Sequence, residues 1–247
     1  MDDTSTIDRI SPCKRPDESV AGFHCWHHLL FLHWRVPATV LQPLVPQGLT
    51  IDTFDGDAWI GLVPFSMSNV RPFWSPPIPG VSRFHETNVR TYVHRDGRDP
   101  GVWFFSLDAA SLLAVTVARL RWSLPYFRAS LNVRVNGQET CFSGKRWWSP
   151  TTARYRIEAL LHGVPQPADP GTLEHFLIER YLLYARSRQG TILRGQVHHA
   201  PYEICDAQID VCEQSMMAVN GIDISDEPVH AAYCRGVDVE VFALRDV

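Results

Sequence analysis

Glu86-Thr87-Asn88-Val89-Arg90-Thr91-Tyr92-Val93 alternates at every step. Successive side chains of an extended chain point to opposite faces. Thr87, Val89, Thr91 and Val93 therefore share one β-branched face, and Glu86, Asn88, Arg90 and Tyr92 share a polar or amphipathic one. This period of two predicts a strand. If the polar face is solvated, Glu86 and Arg90 are a surface pair of little energetic weight. If it is internal, it lines a cavity in which a carboxylate and a guanidinium orient each other and a polar ligand. The following segment favours the second arrangement. Gly101-Val102-Trp103-Phe104-Phe105-Ser106-Leu107 is bulky and apolar on both faces, as in a strand buried on both sides, and residues 96–101 turn the first strand back onto it.

The reading extends in both directions from this pair. Residues 1–20 are polar, carry Pro12 and Pro16, and are expected to form a flexible N-terminal tail. From there to residue 247 no Gly/Ser linker, repeat or low-complexity block interrupts the chain, so residues 21–247 read as a single domain. Pro37 suits the first turn of a short helix, with Gly48 beyond its end. Asp55-Gly56 between 51–54 and 58–67, and Asn136-Gly137 between 126–135 and 138–142, are hairpin signals. Residues 70–79, rich in proline and tryptophan, read as loop. Asp108 is placed to cap a helix through Ser111, Leu112, Val115 and Arg119 that Pro125 closes. Thr172 is placed to cap a second helix, in which Leu173, Phe176, Leu177, Tyr181 and Tyr184 recur at helical spacing before Gly190. Later strands are expected over 191–199, 202–212 and 233–244. Many strands against a few helices predict an α+β, mainly antiparallel β, barrel-like domain rather than a doubly wound one.

Composition limits the function. Hydrophobic residues make up 45% and charged residues 20%, ordinary for a globular chain with a sizeable core. A net charge of −4 supplies no global positive field, so neither nucleic acid nor an anionic membrane is an expected partner. The longest apolar run, 109–118, is shorter than the roughly 20 residues a membrane helix needs. The six cysteines form no C-x-x-C pair and the N-terminus has no apolar signal segment, which points to reduced thiols in the cytoplasm. Lys14 and Lys145 are the only lysines. Lysine is the residue that forms Schiff bases, so their scarcity restricts mechanism.

Five stretches, HETNVRTYV (85–93), GVWFFSLDAAS (101–111), ARLRWSLPYF (118–127), TLEHFLIERYLLYA (172–185) and RGQVHH (194–199), occur in an order that strongly resembles a bacterial family labelled YqjF-like, an uncharacterised family with a domain-of-unknown-function name. That family is similar in turn to a remote branch of the acetoacetate decarboxylase superfamily. The resemblance implies a cone or barrel of antiparallel strands around a central cavity, with a few peripheral helices. In the decarboxylases the run corresponding to 118–127 ends in a lysine pair that holds the Schiff-base nucleophile. Here Arg119 and Pro125 match, but Tyr126 and Phe127 stand in the place of the lysines. A phenol and a phenyl ring form no imine, so imine-based decarboxylation is not expected.

Other clusters are weaker. Phe23-His24-Cys25-Trp26-His27-His28, with His33, holds metal-ligand residue types, but its spacing matches no zinc pattern and strand alternation scatters it. No metal and no cofactor is expected. His198 and His199 end a strand facing opposite ways; one of them, assigned as His198, reaches the ligand, the alternative being a histidine that caps the strand end. Arg180 is expected to pack inward against a carboxylate such as Glu86. Dinucleotide, Walker-loop and G-x-S-x-G patterns are absent.

The expected partner is a small organic acid or carbonyl compound, transformed by proton transfer such as enolisation, hydration or dehydration. Glu86 is the expected acid/base, Tyr126 the oxyanion donor, and Arg90 or Arg119 the carboxylate clamp, with Asn88 and His198 as further contacts. A non-catalytic binding protein with the same cavity, and a subunit docking through Trp74 and the Pro76-Pro77 loop, are the alternatives. Assembly into a homo-oligomer stays open.

Overall fold

The computed structural model describes residues 7–111, 124–148, 152–187, 189–224 and 227–247. The strands are β1 (Gly22–Val36), β2 (Thr50–Ile51), β3 (Ala58–Pro72), β4 (Phe84–Arg95), β5 (Arg98–Ala109), β6 (Tyr126–Asn136) and β7 (Glu139–Arg146), followed by β8 (Arg154–Gln166), β9 (Leu182–Arg186), β10 (Ile192–His198), β11 (Ile204–Gln214), β12 (His230–Val241) and β13 (Arg245–Asp246). Among the described residues two short α-helices, α1 (Ala38–Leu41) and α2 (Leu173–Ile178), accompany them. The strands form one sheet that curls into a ring, in the order β13-β10-β9-β5-β6-β7-β8-β11-β12-β1-β3-β4-β2, with β5–β4 and β10–β12 pairings closing it.

Two strands fork. Val102 and Trp103 of β5 pair with Leu183 and Tyr184 of β9, whereas Leu107 and Asp108 pair with Tyr126 and Phe127 of β6. On β12, Cys234 pairs with Ile204 of β11 and Val241 with Val197 of β10. The strands β12-β1-β3-β4-β5 thus belong to two closures, one through β9 and β10 and a wider one through β6, β7, β8 and β11. Both faces of the shared strands are consequently buried. Leu30 and Leu32 of β1 pack with Val89, Val93, Phe142 and Ile157 in one core. Leu29 and Phe31 pack with Phe65, Tyr92 and Phe176 in another. The β-branched face of β4 faces the first core, and its polar face lies on the side of the second.

Turn chemistry sets the local register. The β4–β5 hairpin turns on Asp96-Gly97, with φ of 49° and 73°. A two-residue turn with both centres at positive φ matches the strand twist, and Asp and Gly tolerate that conformation best. The β6–β7 hairpin pairs Asn136 with Glu139 and places Gly137, φ 61°, at the first turn position. Asp55-Gly56 also turns tightly, but closes only a Phe54–Asp57 bridge. The expected hairpin with the following strand is not formed. The β3–β4 pairing reaches only Ile60↔Thr91, and β2 pairs with Val93 and His94 of β4 beyond it.

Two further expectations are corrected. The helix from Thr172 stops at Ile178, and Tyr184 lies in β9. Thr172 Oγ1 does accept from His175 N–H at 3.3 Å, but the apolar run after it fills the parallel slot beside β5. A short apolar run does not distinguish a helix from a buried strand by periodicity. Asp108 is no helix cap: it lies in β5, and its carboxylate takes Arg146 in a fork of 2.7 and 2.8 Å. The helix expected beyond it, Arg119 included, falls on residues 112–123, outside the described residues. From Ile7 the N-terminal segment is tied to the ring, through an Arg9–Asp52 ion pair, Gln196 Nε2 donating to the Pro12 carbonyl at 3.0 Å, and Arg15 on Glu240 at 2.6 Å.

The fork also explains one glycine. A Cβ on Gly101 would lie 2.7 Å from the Leu182 carbonyl oxygen and 3.0 Å from its carbon, backbone atoms that cannot rotate away. Gly101→Ala is expected to destabilise the protein by about 1–3 kcal/mol in urea unfolding. Unchanged stability would show that β5 and β9 do not approach this closely.

Candidate functional site

A cavity of about 240 Å³ lies where the narrower closure passes α2. Its walls are mainly apolar, with Phe31, Phe65, Val102, Phe104 and Leu183 among them, and its polar side chains include Glu86, Asn88, Arg90, Tyr126 and Arg180. Three of those five come from one face of β4, because residues i, i+2 and i+4 of a strand point the same way. That face is internal: Glu86 is 4% and Arg90 8% exposed.

Tyr126 Oη donates to Glu86 Oε2 at 2.9 Å. Burial pushes the Glu86 carboxyl up to about 8; the Tyr126 hydrogen bond opposes this, and the negative charge of Asp108 adds to it. Among the described residues no cation acts on Glu86, and a medium of low polarity keeps it protonated at neutral pH. Burial and the adjacent Glu86 hold the Tyr126 phenol well above its ordinary range, so it stays a neutral donor.

The other polar groups divide into anchored and open ones. Arg90 Nη2 donates to the Leu177 carbonyl at 3.0 Å, and Tyr92 Oη donates to the same oxygen at 2.7 Å. Arg90 Nε and Asn88 Oδ1 are buried without a hydrogen-bond partner among the described residues. Arg90 and Glu86 do not pair, since four residues along a strand separate their Cα atoms by about 13 Å. Arg180 turns inward as expected, but to a different carboxylate: its Nη1 lies 2.9 Å from Asp52 Oδ2 and its Nε donates to the Phe176 carbonyl at 2.6 Å. Asp52 also takes Arg9, so one buried carboxylate faces two guanidiniums.

His198 is not part of the lining. The β10–β12 register sets it opposite Glu240, with Nδ1 3.8 Å from that carboxylate. His199 is buried behind the wall, stacked on Tyr181 at 4.3 Å between ring centroids. Tyr202 and Asp52 were missed by sequence reasoning, with no local pattern to mark them, and His24 was weighed only as part of a metal cluster and set aside; His24 and Tyr202 line the cavity. Burial lowers His24 to about 4, so its ring is neutral. Among the described residues no group of three or more His, Cys, Asp or Glu side chains is arranged to hold a metal ion, and no helix is long and apolar enough to cross a membrane.

Residues 24–238 match DUF2071, described as an uncharacterized conserved protein. The chain belongs to the DUF2071 family. It is 35% identical over 226 residues to the uncharacterized protein YqjF of Bacillus subtilis (strain 168), covering 89% of this chain and 90% of that protein. The DUF2071 chain is also similar to an acetoacetate decarboxylase-like enzyme from Sphingomonas wittichii RW1, with a TM-score of 0.65 at 12% identity over 93% of this chain and 94% of that one. Acetoacetate decarboxylase from Legionella pneumophila gives 0.64 at 11% identity over 96% and 92%. The enduracididine biosynthesis enzyme MppR complexed with pyruvate gives 0.61 at 10% identity over 94% and 93%. At such identities the likeness is one of fold: this DUF2071 protein has an acetoacetate decarboxylase-like fold, as its sequence motifs implied. Within it Tyr126 lines the cavity, Phe127 lies under Arg146 with the guanidinium carbon 3.8 Å from the ring centroid, and Lys14 and Lys145 are exposed at the surface.

Proposed function

We propose that this protein binds a small organic acid or carbonyl compound in the central cavity and moves a proton on it through Glu86. The Glu86–Tyr126 pair in an apolar enclosure carries this reading. A carboxyl that keeps its proton at neutral pH acts as a general acid toward a carbonyl oxygen and, having given the proton up, as a base. Tyr126 holds one carboxyl oxygen and so sets the direction of the other; its hydroxyl serves an oxyanion only by leaving Glu86. Arg90 is the carboxylate clamp among the described residues. Asn88 Oδ1 and Arg90 Nε supply an acceptor and a donor that lack protein partners, which suits a ligand with one polar end. The cavity exceeds the roughly 150 Å³ that accommodates benzene, leaving room for a compact acid. MppR, a neighbour in fold, is complexed with a keto acid of this size class. No lysine lines the cavity, so the proposed chemistry runs without an imine. All six cysteines are free, which agrees with a reducing compartment such as the cytoplasm.

The apolar walls favour one alternative, a binding protein that holds the same ligand without changing it. Proton exchange separates the two. In D₂O, wild type is expected to accelerate loss of the α-proton NMR signals of at least one small keto acid, and Glu86→Gln to slow that exchange by about 100-fold or more. Ligand binding without any exchange would select the non-catalytic reading.

A further inference from the structure

A second, more open recess of about 1080 Å³ lies on the opposite face of the same strands. Met67 and Phe84 line both it and the cavity. The floor of the recess is polar. Ser68 Oγ lies 2.7 Å from His27 Nε2, and Ser66 Oγ lies 2.8 Å from His85 Nδ1. His28 and Arg83 also line it, as do Val133 and Val135 of β6. Among the described lining residues there is no carboxylate. Arg83 is exposed and forms no ion pair among the described residues. Burial pushes His28 down, and the charges of His27, Arg235 and His85 push it further the same way. Arg83 supplies a fixed positive charge beside these imidazole and hydroxyl groups, with no carboxylate among the described lining residues to offset it.

The backbone is bent to build it. His28 has φ 53° at the register shift of β1 between His27 and Leu32, and Asn69 has φ 53° on the adjacent β3. Left-handed conformations cost a non-glycine residue of order 1–3 kcal/mol and accumulate where side chains are re-aimed for binding. His28 turned this way reaches Tyr233 Oη with Nδ1 at 2.6 Å.

The arrangement restricts the ligand. Among the described residues the imidazoles are not grouped for a metal centre. A serine nucleophile is disfavoured as well: Ser66 is paired on both sides within the sheet, and among the described lining residues no carboxylate orients the imidazole beside it. A carboxylate is planar and is met best by one guanidinium fork. Here donors rise from three neighbouring strands about 4.8 Å apart, which matches a tetrahedral dianion with several acceptor oxygens. We propose that this recess binds the phosphoryl group of a small organic phosphate, received by Ser66, Ser68, His27, His85 and Arg83, with the organic part against Val133 and Val135. The site is separate from the cavity and its case does not depend on the reaction proposed there.

Calorimetric titration of the full chain with phenyl phosphate, inorganic phosphate and phenol tests this. Saturable binding of phenyl phosphate is expected, about tenfold tighter than inorganic phosphate, with none for phenol. Arg83→Ala and His85→Gln are each expected to weaken it about fivefold or more. Arg83 is exposed, so its replacement leaves the fold intact, and an unchanged melting temperature verifies that. Equal affinity for phenyl and inorganic phosphate would overturn the organic ligand in favour of free phosphate. No saturable binding of either, or full affinity in both variants, would overturn the site.

Discussion

Glu86→Gln is expected to be more stable than wild type at pH 8 and close to it at pH 5. The folded-state carboxyl lies at about 8 and its ordinary value is 4.5. Below 4.5 it is protonated in both folded and unfolded chains and imposes no penalty. Between the two values the unfolded chain releases the proton while the folded one retains it, so stability falls by about 1.4 kcal/mol per pH unit. The loss is complete above pH 8 and is about 5 kcal/mol. Glutamine has the same shape, can accept the Tyr126 hydrogen bond, and does not ionise. The difference between the two unfolding free energies should therefore open steadily from pH 5 to pH 8 in urea titrations. Parallel curves would show that Glu86 ionises normally and remove the basis for its role as an acid. His24 and His199, each lowered to about 4 by burial, act in the opposite sense. Their contribution is present above their ordinary 6.5 and is lost as pH falls toward 4. That loss is common to both proteins and cancels in the difference.

Asp52→Ala is expected to cost about 3–5 kcal/mol, because it leaves Arg180 charged, buried and without its counter-ion. Both side chains of that pair are 1% exposed. Arg180 also anchors on the Phe176 carbonyl and stacks over the Phe176 ring at 4.2 Å, so its displacement disturbs α2 and the cavity wall together. Replacing the pair as a whole, Asp52→Ala with Arg180→Met, should recover most of the loss, since a buried ion pair is worth little more than apolar packing of equal volume. Arg9→Ala should cost only about 0–1 kcal/mol, its side chain being partly solvated. A cost below about 1 kcal/mol for Asp52→Ala would mean that Arg180 reaches water and does not face the cavity as a buried cation.

How far the sequence alone leads depends on whether a contact is local. The polar face of 86–93 was legible because a period of two leaves no choice of sides, and the apolar strand after it determined which side is internal. Tyr126 was found only through its family motif. β1 was read only in part, through the alternation invoked for its histidine cluster, because it is apolar or aromatic on both faces and breaks register at His28. β9 resembled a continuation of α2, because five apolar-rich residues fit either form. β2 left its apparent hairpin partner for β4, and Arg180 chose Asp52 over Glu86. Both pairings join segments distant in sequence, where no spacing rule applies. His198 was misassigned for the same reason: the β12 register, rather than its own strand, decides which way it faces.

The most direct test of the central claim is a thermal-shift screen of wild type and Glu86→Gln at pH 7 against small keto, hydroxy and unsaturated acids and the corresponding carbonyl compounds. A cavity built to take such a ligand predicts that at least one raises the wild-type melting temperature by about 3 °C or more, with the increment clearly reduced in Glu86→Gln. Failure of every compound to stabilise the wild type, or equal increments in both proteins, would contradict the assignment of Glu86 and its cavity as the ligand site.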